Sequence, residues 1–263
     1  MGPFEKARDY LRSQGIAPPE PDLKLLAAHA AGLPLRTALG APPPLLAGAP
    51  LEAFRRLVAR RGEERIPAAY LVGSEEFMGL ELRVTPAVLI PRPSTETLVE
   101  IALRRPGRFL EIGTGSGAVA VAMAKAGASG TATDVSEEAL AVARENAERH
   151  GIAGRIQFVK ADLFAEGTFD LVISNPPYVA GDEFAALPPE VLHEPRLALD
   201  GGPDGMDVLR RIAAGARARA PRLLLECAPH QAAAVRDLVL RAGFPGVRIH
   251  RDVDGFDRVV EAP

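Results

Sequence analysis

The segment Ile173 to Ala180, "ISNPPYVA", ends an apolar run with residues that are unusual in a strand. The preceding letters, "FDLVIS", have the composition of a buried strand. Pro176 and Pro177 lack backbone N–H groups and stiffen the chain, and the first of them favours an extended conformation for Asn175. Together with the aromatic ring of Tyr178, these features predict a pre-formed polar site at a strand end. A rigid surface turn is the alternative interpretation.

A glycine-rich turn is the second feature with chemical potential. "LEIGTGSGAV", Leu110 to Val119, joins an apolar run to a helical pattern. Its glycines permit a tight turn and a close approach of a ligand to the free N–H groups at the helix start. The spacing is G-x-G-x-G, not the G-x-G-x-x-G of dinucleotide-binding proteins, so a pyrophosphate is not the expected ligand. The loop residues predicted to bind a ligand are Gly113, Thr114, Gly115, Ser116 and Gly117.

Asp134 follows this loop by about twenty residues and ends the next predicted strand, where a carboxylate can accept both hydroxyls of a ribose. The glycine turn alone could serve packing, but the acid at this distance favours a nucleoside. S-adenosylmethionine, a nucleoside with a non-phosphate tail, fits this description. Asp162 and Leu163 end the third predicted strand and could contact the adenine amino group and ring, although an aspartate there can also be a cap or turn residue.

The elements that must position these residues alternate between strand and helix from about Pro93 onward, which predicts a parallel sheet covered on both faces. "DVDGFD", with its Asp254-Gly255 turn, predicts a final hairpin with one antiparallel strand near an edge. The glycine loop follows the first strand of the sheet, and N-P-P-Y follows the fourth. The carboxyl ends of such strands flank the crevice in which doubly wound sheets bind ligands. Ser94 and Ser136 are predicted helix N-caps.

The first part of the chain has a different pattern. Three apolar-striped segments, "PFEKARDYLRSQG", "PDLKLLAAHAAG" and "LEAFRRLVARRG", predict short helices, with a loop from Ala41 to Pro50. Alternation from Phe77 to Thr85 around Gly79 predicts a β-hairpin. We therefore expect a helical module at residues 1–75, a hairpin linker at 76–86 and an α/β domain at 87–263.

Composition limits the function classes. The chain has 263 residues, a net charge of −3 and a single cysteine, Cys227, which excludes an intramolecular disulfide and a cysteine-based zinc site. The five histidines lack metal-ligand spacing, so no metal is expected. No basic excess of the kind usual in nucleic-acid-binding proteins is present. The first residues lack a signal-peptide core, and no stretch approaches the ~18 apolar residues of a membrane span, so a cytoplasmic protein is expected.

"EIGTGSGAVA", "TDVS" and "ISNPPYV" together resemble class I S-adenosylmethionine-dependent methyltransferases that act on a planar nitrogen. "FMGLELRVTPAVLIPRPSTETLVE" and "HEPRLALDGGPDG" are similar to the glutamine methyltransferases of peptide-chain release factors. The resemblance covers nearly the whole chain. Two positions depart from it: Ser94 replaces the first Glu of "IPRPETE", and His193 replaces the aromatic residue of "YEP" or "FEP". These departures concern local substrate contacts and leave the reaction unchanged.

The resemblance implies a Rossmann-like methyltransferase domain with a mostly parallel seven-stranded sheet and an antiparallel C-terminal hairpin, plus the small helical domain. It also implies S-adenosylmethionine as cofactor and a release-factor glutamine in a Gly-Gly-Gln loop as substrate. An amide nitrogen has two N–H groups, which the Asn175 side-chain oxygen and the Pro176 carbonyl could accept while the Tyr178 ring stacks on the amide plane. Asn175, Pro176 and Tyr178 are therefore the predicted catalytic residues. Pro177 is added as a substrate contact, and Asn175 also as a cofactor contact.

Three rival functions follow from the same residues. A DNA adenine methyltransferase would use the same tetrapeptide, but the net charge of −3 does not favour it. A ribosomal-protein glutamine methyltransferase shares the chemistry, although "IPRPSTE" favours the release-factor branch. A sensor that only binds S-adenosylmethionine would not need N-P-P-Y. The predicted partners are thus release factors, without a membrane and without direct nucleic-acid binding.

Overall fold

The computed structural model describes residues 2–35, 40 and 42–263. It divides the chain into two compact units. The first, called here the N-terminal unit, comprises Met1–Pro86 and Pro188–His193, and the second, the sheet unit, comprises Ala87–Leu187 and Glu194–Pro263. The chain therefore passes between the units three times, because a six-residue segment after the N-P-P-Y loop belongs to the N-terminal unit.

Short helices form the N-terminal unit, as the apolar stripes predict. Their buried side chains, among them Leu11, Leu26 and Phe54, form one cluster. The predicted loop ends earlier than Pro50, and its first residue, Ala41, lies outside the described residues, as do residue 1 and residues 36–39 of the predicted helical module. The helices are α1 (Pro3–Ser13), α2 (Glu20–Ala30), α3 (Gly48–Glu63) and the short α4 (Ala68–Val72), which the sequence analysis did not anticipate.

A β-hairpin follows α4, with β1 at Ser74–Phe77 and β2 at Leu80–Arg83. The strands are antiparallel, and Phe77 pairs with Leu80 across the turn. Both turn residues have positive φ, 52° at Met78 and 76° at Gly79, as the tightest hairpin turns require. The predicted turn at Gly79 is confirmed, but the hairpin begins three residues before the predicted Phe77.

The sheet unit contains a seven-stranded sheet, which confirms the predicted fold class. Its spatial order is β5-β4-β3-β6-β7-β9-β8, in which β9 is antiparallel to both of its neighbours and the other pairs are parallel. The strands are β3 (Arg108–Ile112), β4 (Ser129–Asp134), β5 (Ile156–Lys160), β6 (Leu171–Ser174), β7 (Arg222–Glu226), β8 (Arg248–Arg251) and β9 (Asp257–Ala262).

The helices of the sheet unit are α5 (Pro93–Leu103), α6 (Ala118–Lys125), α7 (Glu137–Arg149), α8 (Asp207–Ala216) and α9 (Ala232–Arg241). Ser136 caps α7 as predicted, because its hydroxyl accepts a hydrogen bond from the Ala139 N–H at 3.1 Å. The cap predicted at Ser94 is wrong. Pro93, whose φ is fixed and which needs no N–H partner, takes the first helical position, and Arg92 is the N-cap.

The reversal of strand order between β3 and β6 decides where the site lies. From β3 the chain winds outward through β4 and β5, and it then returns to start β6 on the other side of β3. Ile112 and Ser174, the last residues of β3 and β6, are register partners, and the Ser174 hydroxyl donates to the Ile112 carbonyl at 2.7 Å. The glycine loop and the N-P-P-Y segment therefore start side by side at the switch point, where open α/β sheets bind ligands.

Candidate active site

A cavity of about 260 Å³ lies in the sheet unit at the carboxyl ends of β3, β4, β5 and β6. A single water needs only about 10–15 Å³ on this measure, so the cavity has room for a much larger ligand. It collects most of the residues singled out from the sequence: Gly113, Thr114, Gly115, Ser116, Asp134, Asp162, Leu163, Asn175, Pro176 and Pro177. Two further predicted residues, Gly117 and Tyr178, are not among its lining residues.

Two kinds of glycine occur in the loop after β3. Gly115 has a φ of 56°, and a Cβ built on it would meet nothing within 4 Å, so its missing side chain leaves open space beside the cavity. Gly113 has the same two properties, with a φ of 70°. Gly117 differs, because its Cβ would stand 3.0 Å from the Ala143 Cβ on α7. The first two glycines thus form a cradle, and the third lets the start of α6 pack closely on α7.

Asp134 ties the end of β4 to the glycine loop. Its Oδ2 accepts from the Gly115 N–H at 2.9 Å, and its Oδ1 accepts from the Ser136 N–H at 2.9 Å. A carboxylate has about four acceptor sites, so two backbone bonds leave capacity for hydroxyl groups of a ligand. Asp134 therefore stands beside the glycine cradle with acceptor capacity for hydroxyl groups of a ligand.

Asp162 is placed at the cavity but already has a partner. Its Oδ2 accepts from the Arg211 guanidinium at 2.7 Å, and both side chains are exposed. Arg211 comes from α8 and was not predicted from the sequence. Leu163 has a φ of 78°, and its carbonyl accepts from the Thr133 hydroxyl at 2.6 Å, which fixes the strand-end turn beside the cavity. Oδ1 of Asp162 is the oxygen through which an adenine amino group could be accepted.

The amide of Asn175 has a defined orientation. Its Nδ2 donates to the Thr95 hydroxyl at 3.0 Å, so that Oδ1 is not engaged by this bond. Thr95 is buried in the first turn of α5 and lines the same cavity. The prolines after Asn175 add carbonyl groups and no N–H groups. This arrangement offers acceptors to a ligand that carries N–H donors.

Tyr178 follows the cavity-lining prolines but does not itself line the cavity. Its ring packs, partly buried, against the hydrophobic cluster that α8 and β7 share, and burial raises the pKa of its hydroxyl to about 12. Its carbonyl accepts from the side chain of Gln231, the N-cap residue of α9, at 2.9 Å, which fixes the N-P-P-Y segment to the turn before that helix. The stacking of this ring on a substrate amide stays a prediction.

No group of three or more His, Cys, Asp or Glu residues in the described part of the chain could hold a metal ion. Nor does any helix within the described ranges have the length and apolarity that crossing a membrane requires.

Comparison with known proteins identifies the family. Residues 93–203 match the family described as "Methyltransferase small domain", and residues 4–73 match "PrmC N-terminal domain". A release factor glutamine methyltransferase of Cereibacter sphaeroides is 44% identical over 262 residues, which cover 96% of this chain and 94% of that protein. The chain belongs to the release factor glutamine methyltransferase family. A second member, from Gloeobacter violaceus, is 44% identical over 242 residues, covering 86% of this chain and 84% of that protein.

Solved structures agree with this fold. A methyltransferase from Pyrococcus furiosus superposes with a TM-score of 0.54 at 23% identity, over 70% of this chain and 88% of that one. At this identity the likeness concerns the fold, which it shares with the release factor glutamine methyltransferase family. Its membership of the release factor glutamine methyltransferase family makes the chain a methyltransferase, and S-adenosylmethionine is the methyl donor of these enzymes.

The cavity fits this donor by its own chemistry. The open space at Gly113 and Gly115 admits a ligand against the backbone, and Asp134 stands beside it with acceptor capacity for two hydroxyls. These features match the nucleoside part of S-adenosylmethionine, which needs no phosphate-binding loop.

Glu194 supports a residue that lines the cavity, and it was not predicted from the sequence, where only its neighbour His193 was singled out. Its buried carboxylate accepts from the Ile90 N–H at 3.0 Å and from the Arg92 guanidinium, and Arg92 lines the cavity. His193 is exposed, with its Nε2 2.8 Å from the Glu64 carbonyl. The single acid in "HEPRLAL" was the signal that could have pointed to Glu194.

Glu111 supports the glycine loop from below. Its buried Oε2 accepts from the Thr114 hydroxyl at 2.7 Å and from the Ala120 N–H at 3.1 Å. Burial raises the pKa of this carboxyl to about 8, and the nearby charge of Asp134 acts in the same direction. At neutral pH the group is therefore mostly protonated.

This raised pKa predicts a pH-dependent stability. Because the folded-state pKa of about 8 exceeds the ordinary 4.5, the contribution of Glu111 is fully present below the ordinary pKa and is lost as the pH rises through 8. Relative to Glu111→Gln, the wild type should lose about 1.4 kcal/mol of unfolding free energy for each pH unit between the ordinary pKa of 4.5 and the folded-state pKa of about 8. Urea denaturation of both full-length proteins at several pH values measures the difference. Two curves that stay parallel would show that Glu111 is ionised in the folded state.

Proposed function

We propose that this chain methylates the side-chain amide nitrogen of a glutamine in the Gly-Gly-Gln loop of peptide-chain release factors. The observation that carries the proposal is the Asn175 amide, whose N–H is held by Thr95 while its oxygen is left for an N–H donor at the cavity. The names of the relatives, release factor glutamine methyltransferase, supply the substrate.

The chemistry of an amide nitrogen as methyl acceptor explains why an asparagine and two prolines stand in the N-P-P-Y segment. The lone pair of an amide nitrogen is delocalised into its carbonyl, so the nitrogen is a weak nucleophile that must be held in a reactive geometry. Asn175 Oδ1 and the Pro176 carbonyl accept its two N–H groups. Neither Pro176 nor Pro177 offers a competing donor. The chain thereby orients the amide and stabilises it at a pre-formed site.

The donor side of the reaction uses the glycine cradle. S-adenosylmethionine, when bound, supplies a methyl group on a positively charged sulfur. In the proposed site Asp134 accepts the ribose hydroxyls, and Gly113, Thr114, Gly115 and Ser116 surround the amino-acid tail. Leu163 packs on the adenine ring, and Asp162 accepts its amino group.

The N-terminal unit is proposed to recognise the protein substrate, with residues 1–75 as the recognition domain and 76–86 as its hairpin linker. A short loop with one glutamine offers the cavity little contact area, whereas stable protein interfaces bury about 1,600 Å² in total. Large apolar side chains stand exposed on this unit, Leu33 at 45% and Leu45 at 104%. A second contact surface of this kind supplies affinity for an intact substrate.

Hydrogen exchange provides the test of this role. In the presence of S-adenosylhomocysteine, intact release factor is expected to slow amide exchange at the surface of residues 2–73 as well as at the cavity, because binding removes both from water. A Gly-Gly-Gln peptide is expected to protect the cavity alone. Protection of the cavity alone by intact release factor would remove the recognition role from the N-terminal unit.

A truncated chain is a poorer test of the same role. β1 begins at Ser74, so a start near Glu75 would divide the hairpin. The segment Pro188–His193 would also lose partners, because Glu190 accepts from Arg61 and Arg65 at 2.8 Å each. The intact chain avoids both effects.

A methyl-transfer assay with tritiated S-adenosylmethionine tests the proposed function. Intact release factor, ribosomal protein and DNA are offered separately at equal concentration. Incorporation is expected into release factor. Preferential incorporation into DNA or into ribosomal protein would establish one of the rival enzymes, and cofactor binding without transfer to any acceptor would establish the sensor. Methylation of a translation factor would place the enzyme in the cytoplasm, and its net charge of −3 is consistent with a protein partner in place of a nucleic acid.

A further inference from the structure

The turn between β8 and β9 presents two large apolar side chains to water. Val253 is 72% exposed and Phe256 is 55% exposed. Both belong to residues 252–256, called here the β8–β9 tip. Single exposed apolar side chains are common on protein surfaces, so the construction and the location of the tip must decide whether this pair has a function.

A buried carboxylate organises the β8–β9 tip. The side chain of Asp252 is 1% exposed, and its Oδ1 accepts from the Asp254 N–H at 3.1 Å and from the Phe256 N–H at 3.0 Å. Its Oδ2 accepts from the Arg258 guanidinium at 2.9 Å. A carboxylate withdrawn from water requires such donors, and here they fix the backbone that carries Val253 and Phe256. The two exposed side chains therefore project from a well-supported turn.

The β8–β9 tip lies at the same end of the sheet as the cavity. β6 and β7 are parallel, so they finish at the same end, where the cavity lies. β9 is antiparallel to β7, and Glu226, the last residue of β7, pairs with Val259 near the start of β9. The residues just before β9 are therefore at the carboxyl end of β7.

Hydrogen bonds connect the tip to the N-P-P-Y segment through the turn after β7. The Arg258 guanidinium donates to the Cys227 carbonyl at 3.2 Å, and the Cys227 N–H donates to the Arg258 carbonyl at 3.0 Å. Gln231 closes the same turn, because its Oε1 accepts from the Ala228 N–H at 3.1 Å. Its Nε2 donates to the Tyr178 carbonyl at 2.9 Å. One turn thus supports both the tip and the segment that meets the substrate.

We propose that the β8–β9 tip is a docking surface for the release factor, on which Val253 and Phe256 pack against apolar side chains beside the loop that carries the acceptor glutamine. The inference rests on the proposed function, in which that glutamine reaches N-P-P-Y. The contact between enzyme and substrate at N-P-P-Y is then continuous with the tip, since the turn after β7 holds both. The tip belongs to the sheet unit, so this contact is additional to the one proposed for the N-terminal unit.

The residue types suit a protein partner. Aromatic side chains are enriched in protein interfaces and contribute much of the binding energy when they are buried there. Phe256 is held by its backbone N–H, so its ring is available to a partner without a change in the turn. Burial of the exposed part of this ring corresponds to about tenfold in affinity.

Binding of intact release factor by full-length variants tests the docking surface. Phe256→Ser is expected to raise the Kd of release factor for the enzyme with bound S-adenosylhomocysteine about tenfold, and Val253→Ser about threefold. Phe256→Leu keeps an apolar side chain and should retain most of the affinity. Calorimetry measures these constants, and the Kd of S-adenosylhomocysteine alone should stay within about threefold, which shows that the cavity is intact.

Leu240→Ser is the matched control. Leu240 is also an exposed apolar residue of the sheet unit, but it stands in the last turn of α9, a helix that starts beside Tyr178 and runs toward the opposite end of the sheet. This variant should bind release factor with the wild-type Kd. A loss of affinity equal to that of Phe256→Ser would show that the effect is general to exposed apolar residues and would overturn the proposal.

Two further outcomes would overturn the proposal. Phe256→Ser that binds release factor as tightly as the wild type would remove the docking surface alone. A wild-type dimer in sedimentation that Phe256→Ser converts to a monomer would make a second copy of the chain the partner of the tip. Wild-type enzyme that binds no release factor would instead remove the proposed function, and the docking surface with it. Because the binding measurement needs no methyl transfer, these failures are distinguishable.

Discussion

Asn175→Ala is expected to lower kcat on release factor by about a hundredfold or more. In the proposed site this substitution removes the side-chain oxygen that accepts one N–H of the substrate amide and leaves the Pro176 carbonyl as the single remaining acceptor. A misplaced amide loses the geometry on which the reaction depends, while the glycine cradle and Asp134 are untouched. Single-turnover methyl transfer measures the chemical step, and calorimetry should show a smaller change in cofactor affinity.

Asn175→Asp is the informative companion of this variant. An ionised carboxylate keeps an acceptor at the cavity but cannot donate to the Thr95 hydroxyl, 3.0 Å away from Nδ2 in the wild type. It should therefore retain more turnover than Asn175→Ala and less than the wild type. Near-normal turnover of Asn175→Ala would show that N-P-P-Y is only a turn.

Asp134→Ala is expected to weaken the binding of S-adenosylmethionine by about tenfold to a hundredfold. In the proposed site this substitution removes two charge-assisted hydrogen bonds to the ribose of the cofactor. It also leaves the Gly115 N–H and the Ser136 N–H without the carboxylate oxygens that accept from them at 2.9 Å. The glycine loop thereby loses the hydrogen bond that connects it to the end of β4. Calorimetric titration with S-adenosylhomocysteine measures the affinity.

Two controls separate ribose binding from loop support. Asp134→Asn keeps one oxygen for the backbone and should bind with intermediate affinity. Asp237→Asn removes a carboxylate that pairs with Arg236 on the surface of α9, and it should leave the affinity unchanged. Wild-type affinity in a folded Asp134→Ala protein would remove Asp134 from the site.

The fold and most of the cavity follow from local sequence signals. Apolar runs bounded by glycine and charged residues predict the strands, because strands of a parallel sheet are buried on both faces. The loop from Gly113 to Gly117, Asp134 and the N-P-P-Y segment come directly after such strands, so the topology alone brings them together. The Asp254-Gly255 turn likewise has a local cause, the need for positive φ.

The residues that sequence analysis missed act through contacts that only the tertiary structure creates. Arg211 is one of two arginines on α8, and nothing nearby in the chain indicates that it meets Asp162, 49 residues away. Glu194 likewise meets Ile90 and Arg92, which come from a distant part of the chain. The Ser94 cap failed for a local reason instead, since the fixed φ of Pro93 allows the helix to begin two residues earlier than a Ser94 cap would place it.

Mass spectrometry of release factor after incubation with the enzyme and S-adenosylmethionine tests most directly whether the methyl group goes to the side-chain nitrogen of the Gly-Gly-Gln glutamine. We expect one added methyl group on the loop peptide, with fragment ions that locate it on that glutamine, and no added mass when the glutamine is replaced by alanine. The same added mass on the alanine-substituted release factor, or a methyl group on another residue of the native one, would show that this glutamine is not the acceptor.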